Sequence, residues 1–164
     1  MAQFPLPSQD STGERPPTVA IGIGCMRGTA LATLEAAVQA ALHGLGPVTV
    51  IALASLERKR DEPVLWQLAS SHGWPLWFFS ADELAVIPVA RPSPSLLRSI
   101  GTASVAEAAA LLAANRNGLM ADRNGAPGEP PQLLVQKQAH QGVDGKWVTV
   151  AVAGIRSDSD LRLE

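Results

Sequence analysis

The sequence predicts an α/β fold with three layers, in which helices cover both faces of a mixed, mainly parallel sheet. In its first half, short apolar runs rich in β-branched residues alternate with segments of helical periodicity. Near the C-terminus, two apolar runs flank Asp144-Gly145, a pair typical of a tight β-hairpin. The alternation indicates parallel strands, and the hairpin adds an antiparallel pair.

The length of 164 residues is that of one domain. Residues 1–17 are rich in Pro, Ser and charge, so we expect a disordered tail there. We expect a single domain over residues 18–156 and a polar C-terminal tail over residues 157–164. The Gly and Pro residues between positions 115 and 131 predict a long flexible loop inside the domain.

The parallel part of the sheet is predicted from three buried strands, at residues 18–23, 48–53 and 76–79. A helix over residues 29–43 follows the first strand. A second helix follows the polar connection after the second strand, with Asp61 as its cap and Pro63 in its first turn.

Two capping boxes predict the helices that come next. Ser80 with Glu83 opens a short helix, and Ser104 with Glu107 opens an alanine-rich helix that runs through Ala114. Between them, a stiff Pro-Ser-Pro-Ser loop leads into an apolar segment at residues 96–100.

Composition excludes several function classes. A net charge of −2 excludes a nucleic-acid binder held by a general basic field, and no apolar run reaches membrane-spanning length. The chain has no Tyr, which excludes a catalytic tyrosine, and its one Cys excludes an intramolecular disulfide. The three His show no metal-ligand spacing, so we predict no metal site. The N-terminus lacks the apolar core of a signal peptide, and we expect a cytoplasmic protein without nucleic-acid or membrane partners.

The first candidate site is a glycine-rich turn between the first strand and the first helix. It contains Gly22, Gly24 and Gly28, with Arg27 as a fork for carboxylate or phosphate and Thr29 as the predicted helix cap. Backbone N–H groups at a helix N-terminus make such a turn suitable for binding an anion. The alternative is an ordinary tight turn with a capped helix.

A dinucleotide is one anion that the turn suggests. The G-x-G-x-x-x-G spacing is one residue longer than the commonest fingerprint, and no acidic residue ends the second strand. Arg58, Lys59 and Arg60 could meet a 2′-phosphate, so a small NADP-binding module is an alternative. No second mononucleotide-binding half is visible, and we otherwise predict no cofactor.

The remaining candidates have structural alternatives. Cys25 near a helix N-terminus suggests a nucleophile, but a small residue packed under a turn is the preferred interpretation. Glu62 either orients Lys59 and its neighbours toward an anion or acts as acid or base. Glu107 is a second acid/base candidate whose capping role already explains it. Three further side chains are candidate ligand contacts: Ser93, Ser95 and Lys137.

Seven segments in this order resemble the CobE family of cobalamin biosynthesis, which is similar to the C-terminal domain of CbiG. They are Gly22-Ile-Gly-Cys-Met-Arg-Gly-Thr29, Ala54-Ser-Leu-Glu-Arg-Lys-Arg-Asp-Glu-Pro63, Phe78-Phe-Ser-Ala-Asp-Glu-Leu84, Pro92-Ser-Pro-Ser95, Val105-Ala-Glu-Ala-Ala-Ala-Leu-Leu112, Leu134-Val-Gln-Lys137 and Val148-Thr-Val-Ala-Val152. In the family, a basic residue usually follows the Cys of the glycine turn. Here that position is Met26, and Arg27 comes next.

The resemblance implies a role in building the corrin ring. We expect the chain to bind a carboxylate-rich precorrin or corrinoid intermediate, as a carrier or accessory factor that works with other cobalamin-biosynthesis enzymes. The alternative that the resemblance implies is a hydrolase or lyase, because full-length CbiG hydrolyses cobalt-precorrin-5A and expels acetaldehyde. The predicted ligand contacts are Gly24, Cys25, Arg27, Gly28, Thr29, Lys59, Ser93, Ser95, Glu107 and Lys137.

Overall fold

A computed structural model describes residues 17–85, 105–121 and 132–155 of the chain. The strands are β1 (Thr18–Cys25), β2 (Thr49–Leu56), β3 (Leu76–Phe79), β4 (Gln132–Gln141) and β5 (Trp147–Ile155). The helices are α1 (Leu31–Leu42), α2 (Pro63–His72), α3 (Ala81–Ala85) and α4 (Val105–Ala121). Short 3₁₀ turns follow α1 at His43–Leu45 and β2 at Glu57–Lys59.

The five strands form one mixed sheet in the order β3-β2-β1-β5-β4. β1 pairs in parallel with β2, and β2 with β3. β5 runs antiparallel to β1 along its whole length, from Thr18 opposite Ile155 to Cys25 opposite Val148. β4 then pairs antiparallel with β5. The predicted combination of a parallel half and a C-terminal hairpin is confirmed.

Helices cover both faces of the sheet. On one face, α1 and α2 pack against large apolar side chains, which are Val19, Ile21, Ile23, Leu53, Val148, Val150 and Val152. On the other face, α3 and α4 pack against small ones, which are Ala20, Ala52, Ala54, Ala151 and Ala153. Alternate residues of a strand point to opposite faces, so this division follows directly from the sequence. The predicted three-layer α/β architecture is therefore correct.

The alanine-rich face lets α4 lie unusually close to β1. A Cβ at Gly22 would overlap the carbonyl oxygen of Ala106 and lie 2.7 Å from the backbone nitrogen of Ala110. Only glycine leaves room for the helix backbone at this point. Gly22 therefore serves helix packing.

Several predicted boundaries were wrong in the same direction. β1 extends to Cys25 and β2 to Leu56, because neighbouring strands continue to pair with them. α4 continues to Ala121, where residues 115–121 were predicted to be loop. Once a helix is anchored by packing, further residues are added at little cost, so weak helix formers can prolong it. The predicted segment at 96–100 lies outside the described residues.

The structure confirms the sequence signals for the short helix α3 and for the turn of the hairpin. The Ser80 amide donates to Glu83 Oε1 at 2.8 Å, and the Glu83 amide donates to Ser80 Oγ at 3.1 Å, which is the predicted capping box. The hairpin turns at Asp144-Gly145, with Gly145 at a φ of 77°. In the described part of the chain, no helix is long and apolar enough to cross a membrane.

Candidate functional site

The candidate site lies where β1 and β2 end. These strands are parallel, so the segments that follow them, residues 26–30 and 57–62, lie at the same edge of the sheet. In α/β sheets, ligands bind outside the carboxyl ends of the strands. The predicted contacts Cys25, Arg27, Gly28 and Lys59 are therefore at the edge where the fold favours binding.

Arg27 joins the two segments. Its Nη1 lies 3.1 Å from Asp61 Oδ1 and 3.4 Å from Glu62 Oε1, and its Nη2 donates to the carbonyl of Arg58 at 3.3 Å. The Arg27 side chain is still 58% exposed. Asp61 was predicted to cap α2, but its carboxylate contacts Arg27 instead, and the residue before the helix is Glu62.

Glu62 is buried, although it stands among charged residues in the sequence. Its Oε2 accepts a hydrogen bond from the Gly28 amide at 2.9 Å, while Oε1 faces Arg27. A carboxylate of the chain itself thus occupies a backbone donor that the glycine turn would offer to an anion. Glu62 thus holds the turn and faces Arg27, whereas the sequence predicted that it would orient Lys59 and its neighbours or act as acid or base.

The N-terminus of α1 is also occupied, by the distant hairpin. Asp144 Oδ2 accepts from the Ala30 amide at 2.9 Å, and Oδ1 accepts from Thr33 Oγ1 at 3.2 Å. These bonds, with that from the Lys146 amide, lower the pKa of Asp144. Thr29 was predicted to cap this helix. That was wrong, because its hydroxyl donates to the Met26 carbonyl at 2.6 Å and Ala30 is the cap residue.

The glycine turn is shorter than the sequence suggested. Gly22 and Gly24 lie inside β1, and Gly28, with a φ of 77°, forms the turn itself. A dinucleotide fingerprint requires its first two glycines in the loop after the strand, where they approach a pyrophosphate. The geometry therefore gives no support to the dinucleotide alternative.

Two ammonium groups complete the site. Lys59 is half-buried, and Lys146 Nζ lies 3.9 Å from where a Cβ of Gly28 would stand. Neither makes an ion pair with any residue in the described ranges. Burial raises the pKa of Cys25; Lys59 and Arg27 oppose this effect, and Glu62 adds to it. A raised pKa keeps Cys25 a thiol at neutral pH, which favours its packing role over that of a nucleophile.

Glu107 and Lys137 lie elsewhere. Glu107 is fully buried in α4, and its Oε2 accepts from the Lys137 backbone amide in β4 at 2.9 Å. Lys137 lines an open groove of about 500 Å³ together with Ala40, Ala41 and Leu45. That groove is at the C-terminal end of α1, whereas the glycine turn is at its N-terminal end. Ser93, Ser95 and the Ser104 half of the predicted capping box lie outside the described residues.

Sequence reasoning missed three residues that the hairpin brings to the site, namely Asp144, Lys146 and Trp147. The Met26 amide donates to the Trp147 carbonyl at 3.3 Å, and the Trp147 amide donates to Met26 Sδ at 3.3 Å. The missing signal was the strand order. The hairpin could be predicted, but its position beside β1 could not.

Comparisons with known proteins identify the family of the chain. Residues 19–153 match the family model described as "Cobalamin synthesis G C-terminus". The chain is similar to a cobalt-precorrin-5A hydrolase of Priestia megaterium, at 38% identity over 100 residues, which cover 60% of this chain and 27% of that protein. It therefore spans about a quarter of the curated relative that it matches.

Two solved structures are similar in fold as well as sequence. CobE, a protein from the cobalamin (vitamin B12) biosynthetic pathway, is 33% identical with a TM-score of 0.68, over 87% of this chain and 93% of that one. The cobalamin biosynthesis protein chiG of Agrobacterium tumefaciens is 28% identical with a TM-score of 0.57, over 85% and 99% of the two chains. The chain belongs to the family of the C-terminal part of cobalamin synthesis protein G, which confirms the resemblance found in the sequence.

Proposed function

We propose that the chain binds a precorrin or corrinoid intermediate of cobalamin biosynthesis in the cytoplasm, as a carrier or accessory factor for other enzymes of the pathway. The observation that carries the proposal is the grouping of Arg27, Lys59 and Lys146 around one glycine turn. Intermediates of the corrin ring are macrocycles fringed with acetate and propionate groups, and cations bind carboxylates by charge-assisted hydrogen bonds.

The occupied backbone donors refine the mode of binding. Glu62 holds the Gly28 amide and Asp144 holds the Ala30 amide, so a ligand carboxylate has the exposed side of Arg27 and the ammonium groups of Lys59 and Lys146 to bind. Removing a buried carboxylate from its partners is costly, and Glu62 therefore stays in place when ligand binds. The ligand carboxylate therefore binds to cationic side chains around the turn and not to the backbone N–H groups inside it.

A titration with hydrogenobyrinic acid, followed by the absorbance of the ring, tests the proposal. Wild-type protein is expected to shift the spectrum and saturate. The Arg27→Ala, Lys59→Ala double variant loses two charge-assisted contacts, so we expect affinity to fall by about 100-fold. Arg60→Ala is the matched control, because Arg60 lies in the same segment but its guanidinium sits 5.0 Å from the Phe78 ring centre. The control should bind within about twofold of wild type.

The similarity to a cobalt-precorrin-5A hydrolase supports a second candidate, hydrolysis of a precorrin with Glu62 or Glu107 as acid or base. Release of acetaldehyde from cobalt-precorrin-5A by the isolated chain would establish that reaction. Spectral binding without acetaldehyde would support the carrier. Absence of binding by wild type, or equal binding by the double variant, would contradict the proposed function.

A further inference from the structure

Two large apolar side chains are exposed side by side at the candidate site. Met26 and Trp147 each keep 47% of their surface accessible. The backbone bond from Met26 to Trp147, and the bond from the Trp147 amide to Met26 Sδ, hold the two residues together one step beyond the last β1–β5 pair. Both residues are thus fixed by the sheet while their apolar surfaces remain in water, where such surface is unfavourable.

Two cationic residues adjoin this pair in the chain. Lys146 directly precedes Trp147 and places its ammonium group beside Gly28, and Arg27 directly follows Met26. Lys59 lies on the 57–62 segment at the same edge of the sheet, where its charge opposes the rise in the pKa of Cys25 that burial causes. The carboxylate of Asp144 lies nearby, but it is committed to the N-terminus of α1. Arg27 shares its charge with Asp61 and Glu62, so Lys146 is the cation next to the apolar patch that has no ion pair among the described residues.

We infer that Met26 and Trp147 form a platform for the flat apolar face of the macrocycle, while Lys146 binds one of its peripheral carboxylates. This inference rests on the proposed function and adds its ring-contacting residues. The occupant is a carboxylate-fringed ring because it matches both parts of the surface. Tryptophan offers a large rigid face, and methionine adapts its shape to irregular apolar partners.

The affinity of hydrogenobyrinic acid for Trp147 variants tests the platform. Trp147→Ala is expected to weaken binding by about tenfold, because the variant lacks the exposed indole surface that the ring would bury. Trp147→Phe should recover most of the affinity, since it restores an aromatic face. Trp66→Ala is the matched control, because Trp66 has the same exposure of 47% but bonds the Arg60 carbonyl through Nε1.

The bonds between Met26 and Trp147 use the main chain of Trp147, so the folded state survives loss of the indole, which circular dichroism checks. Met26→Ala is a second test, with an expected loss of about threefold or more. If wild type binds but Trp147→Ala and Met26→Ala bind equally tightly, the platform is wrong and the proposed function stands. If those variants keep full affinity, and the wild type self-associates whereas Trp147→Ala does not, the patch is an interface between copies of the chain. That result also overturns the platform.

Discussion

At the scale of single residues, Glu62 has the most consequential contacts in the site. One buried carboxylate accepts from the Gly28 amide and faces the Arg27 guanidinium, which links the segments after β1 and β2. The sequence indicated that Arg27 and Lys59 share an edge, since both follow parallel strands. It could not indicate that Asp61 and Glu62 share the charge of Arg27, because that pairing depends on rotamers of residues far apart in the chain.

We expect Glu62→Ala to lower the free energy of unfolding by about 1–3 kcal/mol, because it leaves the Gly28 amide and Arg27 without their buried acceptor. Urea unfolding followed by circular dichroism measures the change. Glu57→Ala is the control. Glu57 is exposed and lies 3.9 Å from Arg60, so its loss should change stability by less than about 0.5 kcal/mol. Equal effects of the two substitutions would refute the structural role of Glu62.

At the scale of elements, the hairpin between β4 and β5 does more than complete the sheet. Asp144 caps α1 from 114 residues away, while Asp144-Gly145 forms the turn. The turn chemistry was visible in the sequence. The cap was not, because a helix cap is normally sought next to the helix, and here tertiary structure supplies it.

The cap predicts a pH dependence of stability. Because the bond from Ala30 and those from Lys146 and Thr33 lower the pKa of Asp144 in the folded state, its ionised form favours folding. This contribution is fully present above the ordinary value of 3.8 and is lost as the pH falls through the lower folded value. Asp144→Asn should therefore melt below wild type at pH 7, and the two melting curves should converge in acid. A gap in melting temperature that persists unchanged at the lowest pH would contradict the assignment.

The close contact between α4 and β1 gives a second prediction at this scale. Gly22→Ala places a methyl group against the backbone at Ala106 and Ala110, so we expect a loss of about 2 kcal/mol or more in unfolding free energy. Gly44→Ala is the matched control, since nothing lies within 4 Å of a Cβ there. The control should stay within about 0.5 kcal/mol of wild type in chemical denaturation. A Gly22→Ala protein as stable as wild type would show that α4 moves away without cost.

At the scale of the whole molecule, the sequence predicted the layers and the mixed sheet correctly. Apolar periodicity fixes which face of each strand and helix is buried, and this information is local. The insertion of β5 between β1 and β4 is not local, because a hairpin can join a sheet by either strand. For this reason Asp144, Lys146 and Trp147 could not be assigned to the site, although each was visible in its own segment.

The same topology separates two candidate binding regions. The cationic edge contains Arg27, Lys59 and Lys146, whereas the open groove beside Lys137 lies at the other end of α1. Lys137 was a predicted ligand contact, and ligand binding in the groove would support that prediction. The proposed binding site is the edge where β1 and β2 end.

The most direct test is the change in backbone amide NMR shifts of ¹⁵N-labelled protein during titration with hydrogenobyrinic acid. We expect the largest changes at residues 24–30, 59–62 and 146–147, which lie at the cationic edge. Changes concentrated at residues 40–45 and 134–138 would place the ligand in the groove and overturn the proposed site.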